Sequence, residues 1–219
     1  MAAARRLSIT LPYRDPSMTR PLLLIGLLLA GIGSAGGDGD RPGAGAPAAT
    51  GPLAVGDAAR PWRLAEWSGS EPLDLEDLRG RVVVVRFWTD ACPYCARSLP
   101  ALQALAEEFR DRPVTFVGVY HAKPPGRERP WPAAVAWARR RGVGFPLGYD
   151  RGWATLRSWW LEGNDPAATS ASFVIDRRGR VAHVHPGPEF YPTDDPSRAR
   201  QDRDFRALRA AIRRALDPE

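Results

Sequence analysis

The chain has two cysteines, and they stand three residues apart as Cys92-Pro93-Tyr94-Cys95. A disulfide between residues this close closes a very small loop, so it contributes little to stability through loop entropy. The pair is better suited to reversible thiol-disulfide exchange. If a helix begins at the first cysteine, its unpaired N–H groups and its dipole stabilise a thiolate there. The spacing therefore predicts Cys92 as the nucleophile and Cys95, one turn further on, as the resolving thiol.

Two other interpretations of the cysteines remain open, a zinc half-site and a pair of inert buried thiols. Zinc normally takes four ligands, whereas this chain has no second cysteine pair and its three histidines lack the spacing of a zinc-binding arm. His183 and His185 fall on one face of a predicted strand, which we interpret as a surface strand. We expect neither a metal nor a cofactor.

The elements on either side of the cysteines predict an α/β site. The apolar run Val82 to Trp88 has the character of a central strand buried on both faces, as in a parallel sheet. Helical spacing then predicts a helix from Tyr94 to Arg110, bent near Pro100. Val114 to Tyr120 is the next strand, made parallel by a right-handed crossover. Cys92 thus lies at the carboxyl end of a strand, where reactive groups collect in open sheets.

The rest of the chain completes one compact domain. Short strand-like pieces are predicted within 62–75, and a hairpin joins strands 172–175 and 181–185. Further helices are predicted over 133–141, 153–160 and 205–216.

The N-terminal segment predicts export. Arg20 precedes the apolar run Leu22 to Ala30, which is as long as a signal-peptide core and shorter than a membrane span. We expect residues 1–35 to be a signal peptide or signal anchor, cleaved after Ala35 if it is removed, with translation starting at Met1 or Met18. Residues 36–52 are rich in Gly, Ala and Pro and predict a flexible linker, and 53–219 form the domain.

The charge balance argues against a nucleic-acid partner. The formal net charge is +6, but 25 acidic residues are interspersed among 31 basic ones, and Lys123 is the only lysine. No basic stripe with interleaved aromatic residues is present, so we expect no nucleic-acid binding.

Several motifs around the cysteines match a known family. They are Leu73 to Gly80, Phe87-Trp88-Thr89, Leu99-Pro100, Phe116 to Val119, and Phe173 to Asp176 followed by Gly179-Arg180. Over about residues 53–188 the chain resembles thioredoxin-fold thiol-disulfide oxidoreductases of the TlpA/ResA type. The resemblance implies a central mixed sheet flanked by helices and an exported reductase of protein disulfides, which we expect to be a monomer. It also implies a membrane electron donor and a part in cytochrome c maturation or copper-site assembly.

The chain departs from this family at three positions. Ser170 takes the place of the usual cis-proline, so we expect either a trans Thr169–Ser170 bond or a loop realigned around Pro166. Arg86 stands six residues before Cys92, where thioredoxin has a buried Asp, and Ser98 stands six residues after it, where many relatives have Glu. The resemblance places Pro93, Tyr94, Thr169 and Ser170 where a substrate binds.

Three further side chains are candidates for supporting the cysteines. Arg86 either favours the Cys92 thiolate or extends along the strand to reach solvent. His121, predicted near the sulfurs with a pKa near 6.5, either transfers protons or is a loop histidine without a task. We expect Trp88 to pack beside the site and shield it from water.

Three other functions are compatible with this pattern. One is copper delivery by a Sco-like chaperone, although the cysteine spacing is shorter here and the expected histidine is missing. Another is a binding module in which the redox site is vestigial, which the serine at the cis-proline position suggests. The third is a peroxidase, for which Thr89 stands correctly three residues before Cys92 but the second cysteine at Cys95 does not fit.

Overall fold

The computed structural model describes residues 51–127 and 129–217. The predicted signal or anchor segment, 1–35, and nearly all of the predicted linker lie outside these residues, so the domain limits remain predictions. In the part that is described, no helix combines the length and apolar character needed to cross a bilayer.

The described residues form a six-stranded sheet with helices on both faces, and its strand order is β1-β4-β3-β2-β5-β6. The strands are β1 (Trp67–Ser68), β2 (Val82–Trp88), β3 (Val114–Tyr120), β4 (Leu147–Tyr149), β5 (Ser172–Ile175) and β6 (Val181–His185). The α-helices are α1 (Pro93–Glu108), α2 (Trp131–Arg139), α3 (Ala154–Leu156) and α4 (Ala199–Leu216). Short 3₁₀ turns precede α3 (Arg151–Trp153) and α4 (Pro196–Arg198), and a π-helical turn (Arg157–Leu161) follows α3.

The pairing of the strands confirms the predicted mixed sheet. β2 runs parallel to β3 in the register Val82 to Val114 through Trp88 to Tyr120, and β4 is parallel to β3. β5 pairs antiparallel with both β2 and β6, and β1 pairs antiparallel with β4. The carboxyl ends of β2, β3 and β4 therefore meet at one edge, and Cys92 follows β2 at that edge.

All seven residues of β2 are buried because the core covers both faces of the sheet. On one face Val82, Val84 and Trp88 pack with residues of α1, α2 and α4. On the other face Val83, Val85 and Phe87 pack with a cluster that contains Trp153 and Trp159. Because both of its faces are buried, β2 is an almost continuous apolar run in the sequence.

Three elements differ clearly from the sequence prediction, whereas α1 and α2 lie within two residues of their predicted bounds. β4 was not predicted, because three residues are too few to show a period. The helix predicted over 153–160 is divided into 3₁₀, α and π turns, and a left-handed Trp153 (φ 64°) begins its α-helical part. The last helix begins at Ala199 rather than at residue 205, because its first turns are polar and lack the apolar spacing that marks a helix.

The buried carboxylate of Asp150 holds the backbone that follows β4, and its removal should lower the free energy of unfolding. Asp150 accepts backbone hydrogen bonds from Thr155 (3.0 Å) and Leu156 (2.7 Å), both of which are buried. Asp150→Ala leaves two buried N–H groups without acceptors, and we expect a loss of about 2 kcal/mol of unfolding free energy in urea titrations. Asp195→Ala is the control, because Asp195 accepts from Ser197 at the exposed start of a turn. Equal losses in the two variants would contradict the importance of burial at Asp150.

Candidate functional site

Cys92 is the N-cap of α1, with extended backbone angles (φ −103°, ψ 117°), and it is half-buried. Pro93, which has no N–H, occupies the first turn, where its fixed φ suits a helix start. The pKa of Cys92 falls to about 5, chiefly because the Cys95 side chain hydrogen-bonds to its sulfur. Burial opposes the shift, while the backbone N–H groups of Cys95 and Tyr94 and the Ser170 side chain reinforce it. Cys92 is therefore a thiolate at neutral pH.

Cys95 lies one turn deeper and has no exposed surface. Its pKa is raised by the hydrogen bond with Cys92 and by burial. Both residues are free thiols. One thiol is thus ionised and half-exposed while the other is protonated and buried, which is the asymmetry that an attacking and a resolving cysteine require. The two roles stay a prediction, and this asymmetry supports them.

The lowered pKa of Cys92 predicts how alkylation of the reduced protein depends on pH. Because only the thiolate reacts, iodoacetamide labelling of Cys92 should rise with a midpoint at about pH 5 and change little above pH 7. Peptide mass spectrometry distinguishes Cys92 from Cys95, whose labelling should lag throughout this range. A Cys92 midpoint near pH 8.5, the value of an ordinary thiol, would contradict the account.

Ser170 faces the buried cysteine. Its Oγ lies 3.2 Å from Cys95 Sγ, and the residue is 7% exposed at the wall of the groove beside Cys92. The cis peptide bonds of the described residues are Lys123–Pro124 and Gly187–Pro188, so the expected trans bond before Ser170 is confirmed. Gly187 allows the next loop to approach, since a Cβ there would stand 2.7 Å from Ser170 O.

Arg86 does not extend to solvent, and that interpretation is wrong. The side chain is fully buried; it donates to Ser170 O (2.5 Å) and Ser172 Oγ (3.1 Å) through Nη1 and to Pro188 O (2.7 Å) through Nη2. Its guanidinium lies 5.2 Å from the centre of the Phe190 ring. The long segment after β6 covers the end of β2 at which Arg86 lies. A contact between residues so far apart in the sequence leaves no local signal by which it could be predicted.

His121 lies at the end of β3 as predicted, but the expected pKa near 6.5 is wrong. Burial, and then the charges of Lys123 and Arg86, lower its pKa to about 3. The ring packs edge-on against Trp153 at 5.4 Å. Among the described residues neither ring nitrogen has a hydrogen-bond partner. The structure therefore does not bring His121 into contact with the thiols and keeps it neutral at pH 7.

Trp88 packs as expected within the core that also contains Cys95. Its ring stacks on Trp137 (5.6 Å, 12°) and is tilted against Tyr120 (4.9 Å). Trp88 is fully buried, so it closes the space behind α1 to water. Its supporting role stays a prediction that this packing favours.

The interpretation of β6 as a surface strand is wrong at His185. His185 is 4% exposed, accepts from Gly187 N through Nδ1 (3.2 Å), and places Nε2 3.4 Å from Asp204. His183 is half-buried. Helix α4 packs over this strand, which explains the burial. Across residues 51–127 and 129–217 no three potential metal ligands cluster.

A groove of about 580 Å³ opens beside Cys92. Most of its lining is small or apolar, with one residue of each charge. The lining residues are Thr89, Ala91, Cys92, Pro93, Tyr94, Lys123, Asp165, Ala167, Ala168, Thr169, Ser170, Pro186, Gly187 and Pro188. All four predicted substrate-contacting residues thus lie together. The loop after β6 was not predicted to take part in the site, although the Pro-Gly-Pro run at 186–188 marks a loop there.

Known proteins share this fold and this region of sequence. A putative thiol:disulfide interchange protein DsbE from Chlorobium tepidum superposes with a TM-score of 0.55 at 24% identity, covering 75% of this chain and 99% of that one. This likeness confirms the predicted thioredoxin-like fold. It concerns the fold alone, because the sequence identity is low.

Curated relatives match the central part of the chain. Protein DipZ of Mycobacterium bovis is 28% identical over 127 residues, which are 56% of this chain and 17% of DipZ. The thiol-disulfide oxidoreductase ResA of Halalkalibacterium halodurans is 26% identical over 117 residues, 53% of this chain and 60% of ResA. The match thus spans less than two thirds of either relative. The profile of the AhpC/TSA family matches residues 55–184, which are more than half of this chain. The chain therefore belongs to the AhpC/TSA family.

Proposed function

We propose that this protein is a thiol-disulfide oxidoreductase that exchanges the Cys92–Cys95 dithiol or disulfide with protein partners. The observation that carries the proposal is the pairing of a half-exposed Cys92 of low pKa with a buried Cys95 thiol directly behind it. A thiolate open to a groove can attack a disulfide, and a second thiol one helical turn away can release the product.

The reaction proceeds in two exchanges. The Cys92 thiolate attacks one sulfur of the partner disulfide, forming a mixed disulfide and expelling the other partner sulfur as a thiolate. Cys95 then loses its proton and attacks Cys92 Sγ. The Cys92–Cys95 bond forms, the bond to the partner breaks, and the second partner sulfur leaves with the electron pair and takes a proton from water. The partner gains two electrons, and the Cys pair loses them.

The groove suits a polypeptide as the partner. Tyr94, which is 43% exposed, and Pro93 provide an apolar surface next to the attacking sulfur. Thr169 and Ser170 line the same groove. An extended chain that carries a disulfide can lie along these residues, and the charges of Lys123 and Asp165 are available to its polar side chains. The relation to ResA, whose name gives the same activity, supports this assignment.

The proposed direction is reduction of protein disulfides outside the cytoplasm. The apolar run at residues 22–30 supports export or anchoring, and electrons would then come from a membrane donor. The resemblance to TlpA/ResA proteins supports a role in cytochrome c maturation or copper-site assembly. We propose that the protein acts as a monomer.

The redox potential of the full chain tests the direction. Equilibration with glutathione and dithiothreitol, read by alkylation and mass spectrometry, should give about −200 to −250 mV, between protein disulfide isomerase and thioredoxin. A potential near −120 mV, as in DsbA, would indicate an oxidant instead. Stoichiometric Cu(I) binding without redox cycling would favour a copper chaperone.

A further inference from the structure

The guanidinium of Arg86 is a buried cation without a carboxylate partner. Its three hydrogen-bond acceptors are neutral oxygens, two from backbone carbonyls and one from a hydroxyl. Among the residues described by the structure, none of the ion pairs includes Arg86. An uncompensated charge in a protein interior is unfavourable, so an anion that forms beside it is strongly stabilised.

The cysteine sulfurs are the groups that can supply this anion. Arg86 interacts by charge with Cys95 first and with Cys92 second. Arg86 also acts by charge on His121 after β3 and on His185 of β6, whose pKa values of about 3 and about 4 leave both rings neutral at pH 7. The buried carboxylate of Glu189, which follows Pro188, is paired with Arg97 (2.5 Å). Asp204 of α4 lies behind His185, and its carboxylate is directed at that ring (3.4 Å) and at Arg200 (3.7 Å).

Ser170 connects the cation to the buried thiol. Its carbonyl oxygen accepts from Arg86, which fixes the residue, while its hydroxyl lies 3.2 Å from Cys95 Sγ. The hydroxyl can accept a hydrogen bond from a thiol and donate one to a thiolate. Ser170 also lines the groove, so it stands between the buried sulfur and the groove. A proline at this position has no side-chain hydrogen-bonding group.

We propose that Ser170 and Arg86 stabilise the thiolate of Cys95 during resolution of the mixed disulfide. Ser170 is the catalytic residue, since it contacts the reacting sulfur, and Arg86 is a positioning residue that also supplies positive charge. The Cys95 proton passes by way of the Ser170 hydroxyl to water in the groove. The thiolate then attacks Cys92 Sγ as described above. This inference rests on the proposed exchange activity.

The test separates attack from resolution in the reduced full chain treated with DTNB. The first thionitrobenzoate is released when Cys92 attacks, and the second is released when Cys95 resolves the mixed disulfide. In Ser170→Ala and in Arg86→Met we expect the second release at pH 7 to slow roughly tenfold, as for a rise of about one unit in the pKa of Cys95. The pH midpoint of that phase should move upward, and the first release should change less.

Two further variants distinguish this role from a loss of packing. Arg86→Lys keeps the charge and should restore most of the resolution rate. Val84→Ala creates a cavity on the same face of β2 without touching charges, and it should keep the wild-type pH midpoint. Ser170→Ala alters a single small side chain. If its second thionitrobenzoate release keeps the wild-type rate and pH midpoint, the inference is overturned, even if Arg86→Met fails to fold. A wild-type chain with no second release would instead contradict the proposed function.

Discussion

Cys92→Ser should lower disulfide exchange by about 10³-fold or more, because loss of the attacking nucleophile leaves only binding contributions to catalysis. The serine hydroxyl remains protonated at neutral pH, whereas the sulfur it replaces has a pKa of about 5. Cys95 cannot take over the attack, because it is fully buried and its pKa is raised. The measurement is the initial rate at which the reduced full chain reduces a protein disulfide.

The matched control for this experiment is Ala106→Ser. It also introduces a serine hydroxyl, but within α1 and farther along the chain from both sulfurs. We expect this variant to keep the wild-type rate and both serine variants to show similar thermal unfolding. Residual exchange above one tenth of the wild-type rate in Cys92→Ser would contradict the assignment of Cys92 as the nucleophile.

Cys95→Ser should trap the partner as a stable mixed disulfide on Cys92. The attack of Cys92 remains possible, but resolution then depends on external thiol, and an intramolecular thiol acts at a far higher effective concentration. We expect the lifetime of the adduct to increase by about a hundredfold or more. Non-reducing electrophoresis of the full chain after mixing with a disulfide-containing protein detects the adduct, which dithiothreitol should release.

Comparison with Cys95→Ala makes this prediction sharper. The hydrogen bond from the Cys95 side chain is the largest cause of the low pKa of Cys92. Serine retains a donor at this position and alanine does not, so the pKa of Cys92 should rise more in Cys95→Ala and adducts should form more slowly near pH 6. Adducts that persist in the Cys92→Ser/Cys95→Ser double variant would show that the cysteines are not their source.

The local parts of the site could be predicted from the sequence. The continuous apolar run of β2, the helical spacing of α1 and the apolar β3 all follow from local burial, and they place Cys92 at a sheet edge. The hairpin of β5 and β6 was predicted with its observed limits because a Gly-containing turn separates two strand-like runs.

The parts that were missed depend on contacts between residues distant in sequence. Arg86 is buried because carbonyls about 84 and 102 residues away, on Ser170 and Pro188, surround it. His121 has a low pKa because Trp153 and the core enclose it, although its position at the end of β3 was predicted correctly. No periodicity or motif in the sequence indicates such enclosure. The position of His121 in the fold was therefore predictable, whereas its protonation state was not.

The most direct test of the central claim follows both partners of a single exchange. The reduced full chain is mixed with an oxidised protein substrate, quenched with acid and analysed by mass spectrometry. We expect this chain to lose two hydrogens and gain a Cys92–Cys95 disulfide while the substrate gains two hydrogens at the same rate. If the substrate stays oxidised while Cys92 and Cys95 remain free thiols, the protein is not a thiol-disulfide oxidoreductase.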